Sequence, residues 1–232
     1  MPSSTPAAAH RYAVSYAPNP GSLGWLAGSH WLGRCAALLQ PLQQLAIDGV
    51  ADHTLQQLTA EPRRRGWQAP LQPPFALAEG ADWMALHSTV QRLAHSLAPC
   101  ALPPLHVERL GDFLALVPAA RHAAHTDMAH AASECRTQLQ PLVADAPCAG
   151  DTAQPVGGFR FHLPLTGSLA QVDSATQARV LDAAQDFFAD LPTRTFHSLA
   201  LFAEPTPGAD FVLLDHLELG GRDIGLRLYP HC

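Results

Sequence analysis

The side chain best suited to proton transfer in this chain is His162, which lies in the segment GFRFHLPLTG at residues 158–167. An imidazole titrates near neutral pH, so a positioned histidine can act as a general acid or base. The segment alternates as a half-buried strand does. Its apolar face would carry Phe159, Phe161, Leu163 and Leu165, and its polar face Arg160, His162, Pro164 and Thr166. The pattern therefore indicates His162 as a candidate site residue. The alternative is an ordinary histidine on the surface or in the core.

A second segment matches this one in register. Residues 67–72 (WQAPLQ) align with residues 161–166 (FHLPLT), with the proline and the leucine identical. Gln68 stands opposite His162 in this alignment. Glutamine does not exchange a proton near neutral pH, but it donates and accepts hydrogen bonds. The pair predicts a site with one titratable group and one amide.

The elements that would position these residues follow one order twice: strand, helix, hairpin. In the first unit we predict strands near residues 11–17 and within 63–77, helices at 24–33, 51–59 and 81–97, and a hairpin turned at Gly111 and Asp112. A helical stretch at 120–143 and a loop at 146–157 come next. The second unit has the strand of His162, a helix at 174–191 and a hairpin turned at residues 205–209. The predicted fold class is α+β.

With these motifs in place, the chain resembles the two-histidine (2H) phosphoesterases, in the bacterial branch associated with phosphonate metabolism. The resemblance runs from Arg11 to Leu219 and is carried by residues 11–22, 31–34, 58–77, 101–119 and 159–167. It implies a bilobal fold with a pseudo-twofold axis, in which two antiparallel sheets flanked by helices enclose a central cleft. It also implies one H-x-[ST] motif in each lobe. The two family histidines act as base and acid, and the hydroxyls hold the phosphoryl oxygens.

The same resemblance implies domain limits. It predicts a single domain over residues 11–219, with lobes at about 11–119 and 120–219 that exchange strands, and tails at 1–10 and 220–232.

This chain departs from the family pattern at the motif residues. Gln68 and Pro70 stand where the first histidine and hydroxyl are expected, Gln72 replaces a usual lysine, and Pro164 replaces the second hydroxyl. We therefore expect phosphodiester hydrolysis to be lost or reduced, with a small anionic or phosphorylated molecule bound in the cleft. One alternative is an enzyme, either a weak phosphodiesterase or a catalyst that uses His162 alone as acid or base. The other is a protein-interaction module with a vestigial cleft.

The candidate site residues differ in how well they are supported. His162 is the catalytic candidate. Arg64 belongs to a run of three arginines, and such a run is more often a solvated surface than a binding site. Tyr12 and Tyr16 are large aromatics, which lie more often in the core than in a cleft. His106 and His197 are weaker candidates, and His122, His125 and His130 fit a solvated helix better than a metal site. No metal or cofactor is expected. The ligand-binding candidates are Gln68, Thr166, Gln72, Arg160, Arg64, Tyr12 and Tyr16.

The composition argues against several classes of binding partner and of catalysis. The formal net charge is -6, which disfavours binding to nucleic acid or to anionic membranes. All 14 basic residues are arginine, which excludes a P-loop lysine and Schiff-base catalysis. The five cysteines are scattered without a CxxC pair, and no secretory signal or membrane-length apolar run is present, so a cytoplasmic location is expected. The composition does not indicate an oligomeric state.

Overall fold

The computed structural model describes residues 9–119, 123–144, 159–192 and 194–220. Over these residues the chain has a mixed α+β fold with six α-helices and several antiparallel sheets, which agrees with the predicted fold class. None of the helices in these ranges is long and apolar enough to cross a lipid bilayer.

The helices begin where the sequence supplies caps. Ser22, Asp82 and Asp173 each accept a hydrogen bond from a backbone amide in the first turn of the helix that follows. Gly33 ends the first helix in the left-handed conformation, with a φ of 75° that favours glycine. The helices are α1 (Leu23–Leu32), α2 (Asp52–Leu58), α3 (Ala60–Arg65), α4 (Trp83–Ser96), α5 (Ala123–Leu139) and α6 (Ser174–Phe188).

Eleven strands are described in these residues, and the two larger sheets enclose the site discussed below. The four-stranded sheet has the order β11-β10-β1-β4, and the three-stranded sheet has the order β6-β7-β8. Two short pairs, β2-β3 and β5-β9, complete the set. The strands are β1 (Arg11–Tyr16), β2 (Arg34–Cys35), β3 (Gln40–Pro41), β4 (Ala69–Phe75), β5 (Cys100–Leu102), β6 (Leu105–Leu110), β7 (Phe113–Pro118), β8 (Leu163–Pro164), β9 (Arg194–Phe196), β10 (Ser198–Glu204) and β11 (Val212–Glu218).

Both larger sheets draw strands from the two halves of the sequence. β1 lies between β4 from the same half and β10 from the second half, and all of its pairings are antiparallel. The hairpin of β6 and β7 pairs with β8 from the second half. Each of the two larger sheets therefore contains strands from both sides of residue 119.

A cluster of large aromatics joins the helices to the sheets. The ring of Trp67 stacks on Phe188 at a centroid distance of 5.7 Å, and Trp31 packs against the same ring. Gly28 makes this packing possible, since a Cβ atom there would lie 2.0 Å from the indole of Trp67. The indole Nε1 of Trp31 donates to the carbonyl oxygen of Leu165 at 2.9 Å. This bond ties α1 to the segment that carries His162.

The predicted strand at 158–167 is wrong in extent but right in its alternation. The regular ladder with β7 covers only Leu163 and Pro164. Beyond it the backbone N–H groups of Leu165 and Thr166 both donate to the carbonyl oxygen of Leu114, and the Thr166 hydroxyl accepts from the N–H of Leu114. The side chains of Phe161, Leu163 and Leu165 are nevertheless fully buried.

Other differences concern short elements. The pairs β2-β3 and β5-β9 were not predicted, because strands of two or three residues carry no periodic signal. The six-residue helix α3 was not predicted either, and it includes residues 63–65, which we predicted at the start of a strand. The loop predicted at 146–157 lies outside the described residues.

Candidate functional site

A cavity of about 690 Å³ opens between the two larger sheets, and we refer to it as the cleft. One wall comes from β1, β4 and the C-terminal end of α3, and the other from the β6-β7 turn and the segment around β8. The lining residues are Ala13, Glu61, Pro62, Arg65, Gly66, Gln68, Pro70, Pro73, Pro74, Leu110, Gly111, Asp112, Phe113, Arg160, His162, Pro164, Thr166, Gly167, Ser168 and Phe211. The two segments aligned by sequence thus meet at one cavity.

His162 is half-buried in the wall of the cleft, next to β8. Its Nδ1 lies 2.9 Å from the carbonyl oxygen of Arg160. A carbonyl can only accept, so Nδ1 carries the proton and Nε2 of the neutral ring carries a lone pair. Nε2 has no hydrogen-bond partner within the described part of the chain. His162 therefore offers an acceptor, and a potential base.

The environment of His162 favours its neutral form. Burial lowers the pKa of the imidazole below its ordinary value, and the charges of Arg160 and Arg65 lower it further. The hydrogen bond to the Arg160 carbonyl and the charge of Glu61 act in the opposite direction and do not outweigh the burial. At neutral pH the ring is a base and not a cation.

Gln68 lines the same cleft, but its amide is engaged within the protein. The side chain is buried, and its Oε1 accepts a hydrogen bond from the hydroxyl of Ser15 on β1. Its Nε2 donates to the carbonyl oxygen of Arg65 at the end of α3. The amide therefore joins β1 to α3 at the point where β4 begins.

Two prolines hold matching positions in the two aligned segments. Pro70 lies on β4 opposite Ser15, and Pro164 lies on β8 opposite Ala115. Both rings line the cleft. The hydroxyl of Thr166 is also at the cleft, where it accepts from the backbone N–H of Leu114 at 3.0 Å. A hydroxyl that accepts one hydrogen bond can still donate, so the hydroxyl donors of the cleft are Thr166 and Ser168, whose oxygen accepts from the backbone N–H of Ala170.

Two arginines line the cleft, and each is paired with a carboxylate. Arg160 bonds to Glu108 at 2.8 Å, and about half of its side chain is exposed. The Nε of Arg65 forms an ion pair with the carboxylate of Glu61 at 2.8 Å, one helical turn away, without the geometry of a hydrogen bond. Both pairs are partly solvated, so an incoming anion can compete for the guanidinium groups.

Arg64, which we predicted at the site, lies elsewhere, and Arg65 takes its place. Successive residues of a helix point about 100° apart, so the three arginines of α3 cannot all face the cleft. Arg64 instead bonds to Glu204 at 2.9 Å. The charge run is also less solvated than expected, since 28% of the Arg64 side chain is exposed.

Three other predicted ligand-binding residues are absent from the cleft lining. Tyr12 and Tyr16 are buried in the core, where Tyr12 stacks on Trp83 and Tyr16 packs against Phe161. Gln72 is displaced by a register shift, because β4 pairs Pro70 with Ser15 but Gln72 with the adjacent Val14. The strict alternation that we assumed from Gln68 onward ends at that irregularity.

The remaining histidine candidates do not line the cleft. His106 lies 3.7 Å from Glu108, and the Nδ1 of His197 bonds to the carbonyl oxygen of Thr195. His122 lies outside the described residues, as does the side chain of His125. Within the described ranges no group of three or more histidine, cysteine or acidic side chains could hold a metal ion.

Sequence reasoning missed the aromatic part of the cleft. Phe113 follows the predicted turn of the β6-β7 hairpin, and its ring centroid lies 5.9 Å from that of His162. Phe211 follows the second predicted turn, and no pattern in the sequence marks it. The guanidinium groups of Arg11 and Arg64 lie 5.8 and 5.9 Å from the centre of its ring.

A buried carboxylate holds those two arginines behind Phe211. Glu204 is fully buried, bonds to both guanidinium groups and accepts from the backbone N–H of Gly208. Burial raises the pKa of Glu204, but the bond and charge of Arg11 outweigh it, so the pKa is lowered overall. The ionised carboxylate fixes one wall of the cleft.

Comparison with known proteins places this geometry in a family. Residues 70–154 and 156–212 match the model of the family described as "Protein of unknown function (DUF1045)". The chain belongs to this family. Two curated relatives carry the name ribose 1,5-bisphosphate phosphokinase PhnN. The protein from Laribacter hongkongensis is 36% identical over 216 residues, covering 88% of this chain and 50% of the relative. The protein from Janthinobacterium sp. is 29% identical over 244 residues, covering 95% of this chain and 53% of the relative.

This DUF1045 chain spans about half the length of the curated relatives it matches. Among solved structures, Usb1 from Kluyveromyces marxianus is similar with a TM-score of 0.36 and 18% identity, covering 67% of this chain and 76% of Usb1.

Proposed function

We propose that this DUF1045 protein is a divergent 2H phosphoesterase-like protein whose cleft binds a small anionic or phosphorylated molecule without hydrolysing phosphodiesters efficiently. The observation that carries the proposal is that His162 and Gln68, matched by sequence, line one cavity together with both motif prolines. The names of the curated relatives, which refer to a ribose bisphosphate, support a role connected with phosphoryl compounds.

Efficient hydrolysis would need a second proton-transfer group. A single positioned acid or base contributes roughly 10² to 10⁴ in rate. At the position opposite His162 stands an amide that is bonded to Ser15 and Arg65 and does not titrate near neutral pH. Glu61 is also engaged, in its pair with Arg65. We therefore expect phosphodiester turnover to be far slower than in a protein with two histidines.

Anion binding would use the arginines of the cleft. Arg65 and Arg160 supply two guanidinium groups, and their partners Glu61 and Glu108 are 47% and 40% exposed. Water can solvate these carboxylates when an anion takes their place. Exchange of partners at a partly solvated pair costs little, since such pairs contribute about 0–1 kcal/mol.

The experiment combines binding and turnover. Thermal unfolding would be recorded with a panel of organic phosphates and with the corresponding alcohols, for the natural chain, Arg65→Gln and the control Arg109→Gln, which lies outside the cleft lining. A ligand at 100 times its Kd stabilises by about 2.7 kcal/mol. Stabilisation by phosphates only, lost in Arg65→Gln, supports the proposal. Equal stabilisation by the alcohols, or rapid cleavage of bis(para-nitrophenyl) phosphate, contradicts it.

A second candidate is an enzyme that uses His162 alone. The bond from Nδ1 to the Arg160 carbonyl leaves Nε2 as a free base at the cleft, which suits proton abstraction from a bound ligand. A proton-exchange assay in deuterium oxide on any stabilising ligand would test it, since His162→Gln should abolish the exchange. An interaction module stays the alternative if no small molecule binds.

A further inference from the structure

We infer that the cleft is specific for a ligand with an apolar, flat body and a neutral hydrogen-bond donor that meets His162, while the ligand's anionic group binds at the arginines. The inference rests on the proposed function and adds the chemical class of the ligand. It distinguishes this site from one that places a phosphoryl oxygen at His162.

The first argument is the composition of the walls. Pro73 and Pro74 come from the β4 side, and Leu110 and Phe113 flank the β6-β7 turn on the other side. Pro164 and Phe211 extend the same apolar surface. Ligand pockets lined in this way bury apolar ligand surface, and a few polar groups fix its orientation. A small hydrated oxyanion alone would leave these side chains without a partner.

The second argument is the direction of the hydrogen bond at His162. Because Nδ1 donates to the Arg160 carbonyl at 2.9 Å, the neutral ring presents only an acceptor to the cleft. A phosphoryl oxygen also only accepts, so it would face the lone pair of Nε2 without a proton between them. A hydroxyl or N–H group of the ligand complements that atom.

The third argument is that the neighbouring polar groups do not substitute for a phosphate clamp. The amide of Gln68 is bonded to Ser15 and to Arg65, and the hydroxyl of Thr166 accepts from Leu114. Both motif positions that would donate hydroxyls are prolines. The donors that stay available to an anion are the guanidinium groups of Arg65 and Arg160 and the O–H groups of Thr166 and Ser168, whereas Gln68 and the two prolines supply none.

Four sulfonates and one uncharged alcohol test the inference, because an aryl or alkyl sulfonate keeps one negative charge from pH 5 to pH 8. They are methanesulfonate, benzenesulfonate, meta-(hydroxymethyl)benzenesulfonate, its methyl ether, and benzyl alcohol as the uncharged member. Binding would be measured by titration calorimetry at pH 7.5. We expect the ring to increase affinity about tenfold over methanesulfonate. We expect the hydroxyl to add about threefold to tenfold over the methyl ether.

The pH dependence gives a second readout that needs no variant. The charged groups that face His162 are Arg160, Arg65, Glu61 and Asp112, with Glu108 behind Arg160. As the pH falls, protonation of Nε2 removes the acceptor, so the advantage of the hydroxymethyl probe over its ether should shrink. A ligand that placed an oxyanion at His162 would instead bind more tightly at acid pH.

Variants separate the two parts of the site. Phe113→Leu should weaken all aryl probes, and His162→Phe should remove the difference between alcohol and ether while keeping the preference for a ring. Leu23→Ala, an exposed residue of α1 outside the cleft, serves as the control. Far-UV spectra and thermal unfolding would establish that each variant folds. If His162→Phe does not fold, the pH series on the natural chain still tests the donor at His162.

Each outcome decides something. Equal affinity for methanesulfonate and benzenesulfonate would contradict the preference for an apolar body. Equal affinity for the hydroxymethyl probe and its methyl ether at pH 7.5 would contradict a donor at His162. Either result leaves anion binding intact. Benzyl alcohol binding as tightly as the full probe contradicts the anion site at the arginines, in the proposed function and in this inference alike, and leaves only the apolar body and the donor at His162 supported. Absence of binding by every probe overturns both.

Discussion

At the scale of single residues, the two aligned segments contribute one side chain each to the cleft, and only one of the two is tied into the fold. His162 and Gln68 hold matching positions in these segments, and both line the cavity. The amide of Gln68 connects β1 to α3, whereas the imidazole keeps Nε2 uncommitted. Substitutions at the two positions should therefore have different consequences.

Ser15→Ala should destabilise the protein through Gln68. The Ser15 side chain is fully buried and donates to the amide oxygen, and a buried polar atom left without its partner costs about 1–3 kcal/mol. In a Gln68→Met background the same substitution should cost less, because no acceptor is left behind. Urea unfolding of the four proteins in this double-mutant cycle would measure the coupling. An equal cost of Ser15→Ala in both backgrounds would show that the bond contributes nothing.

Gln68→His alone should recover little phosphodiesterase activity. The imidazole would return, but the bonds to Ser15 and Arg65 would be disturbed, and Pro70 and Pro164 would still replace the hydroxyls. The triple variant Gln68→His, Pro70→Thr, Pro164→Thr should recover more, since each donor to a developing charge is worth up to ~3 kcal/mol in a preorganised site. Initial rates on bis(para-nitrophenyl) phosphate would be compared, with His162→Ala added to the triple variant as control. A folded triple variant with no activity would mean that the cleft has diverged beyond these positions.

At the scale of elements, the spacing of apolar residues predicted the long helices and the hairpins. The helix α4 and the hairpins β6-β7 and β10-β11 form close to the predicted limits, because their apolar residues repeat regularly and Gly or Pro marks the turns. The alternation around His162 also predicted which side chains face the cleft. We predicted Gln72 and Arg64 in the cleft, but neither lines it, because β4 has a register shift and the residues of α3 point in different directions. Residue spacing does not reveal either feature. Phe211 reaches the cleft only through tertiary packing.

The pair of strands β10 and β11 should make the stability depend on pH through His216. Burial, followed by the charge of His197, lowers the pKa of His216 to about 4, and Asp215, which bonds to His87, acts against this. Its Nδ1 lies 3.0 Å from the hydroxyl of Ser198. An unfolded histidine has a pKa near ~6.5, so between that value and the folded value the unfolded chain binds more protons. The stabilising contribution is complete above the unfolded pKa and is lost as the pH falls toward 4.

The measurement is the free energy of unfolding in urea from pH 7.5 to pH 4. Other groups titrate in this range, so the comparison is between the natural chain and His216→Gln, whose slope should be smaller over the same interval. The exposed His53→Gln serves as the matched control. Identical slopes for the natural chain and His216→Gln would show that His216 does not titrate differently on folding.

At the scale of the whole molecule, the interleaved strands make the two halves of the sequence interdependent. β10 is fully buried between β1 and β11, so the first half alone would leave β1 with an unpaired edge. β8 completes the sheet that begins with β6 and β7, and Trp31 donates to Leu165 across the same division. The cleft itself takes residues from both halves. The cleft and the fold thus depend on the same contacts between the two halves.

We expect the separate fragments 1–119 and 120–232 to fail to fold alone and to fold when they are produced together. Each isolated fragment would lose half of the four-stranded sheet and part of the aromatic cluster, in which Trp31 and Trp67 of the first half pack against Phe188 of the second. Urea unfolding followed by far-UV circular dichroism should show no cooperative transition for either fragment. The co-produced pair should purify together and unfold cooperatively, with the full-length chain as reference. A sigmoidal transition and dispersed amide signals from the first fragment alone would instead identify residues 11–119 as an independent lobe.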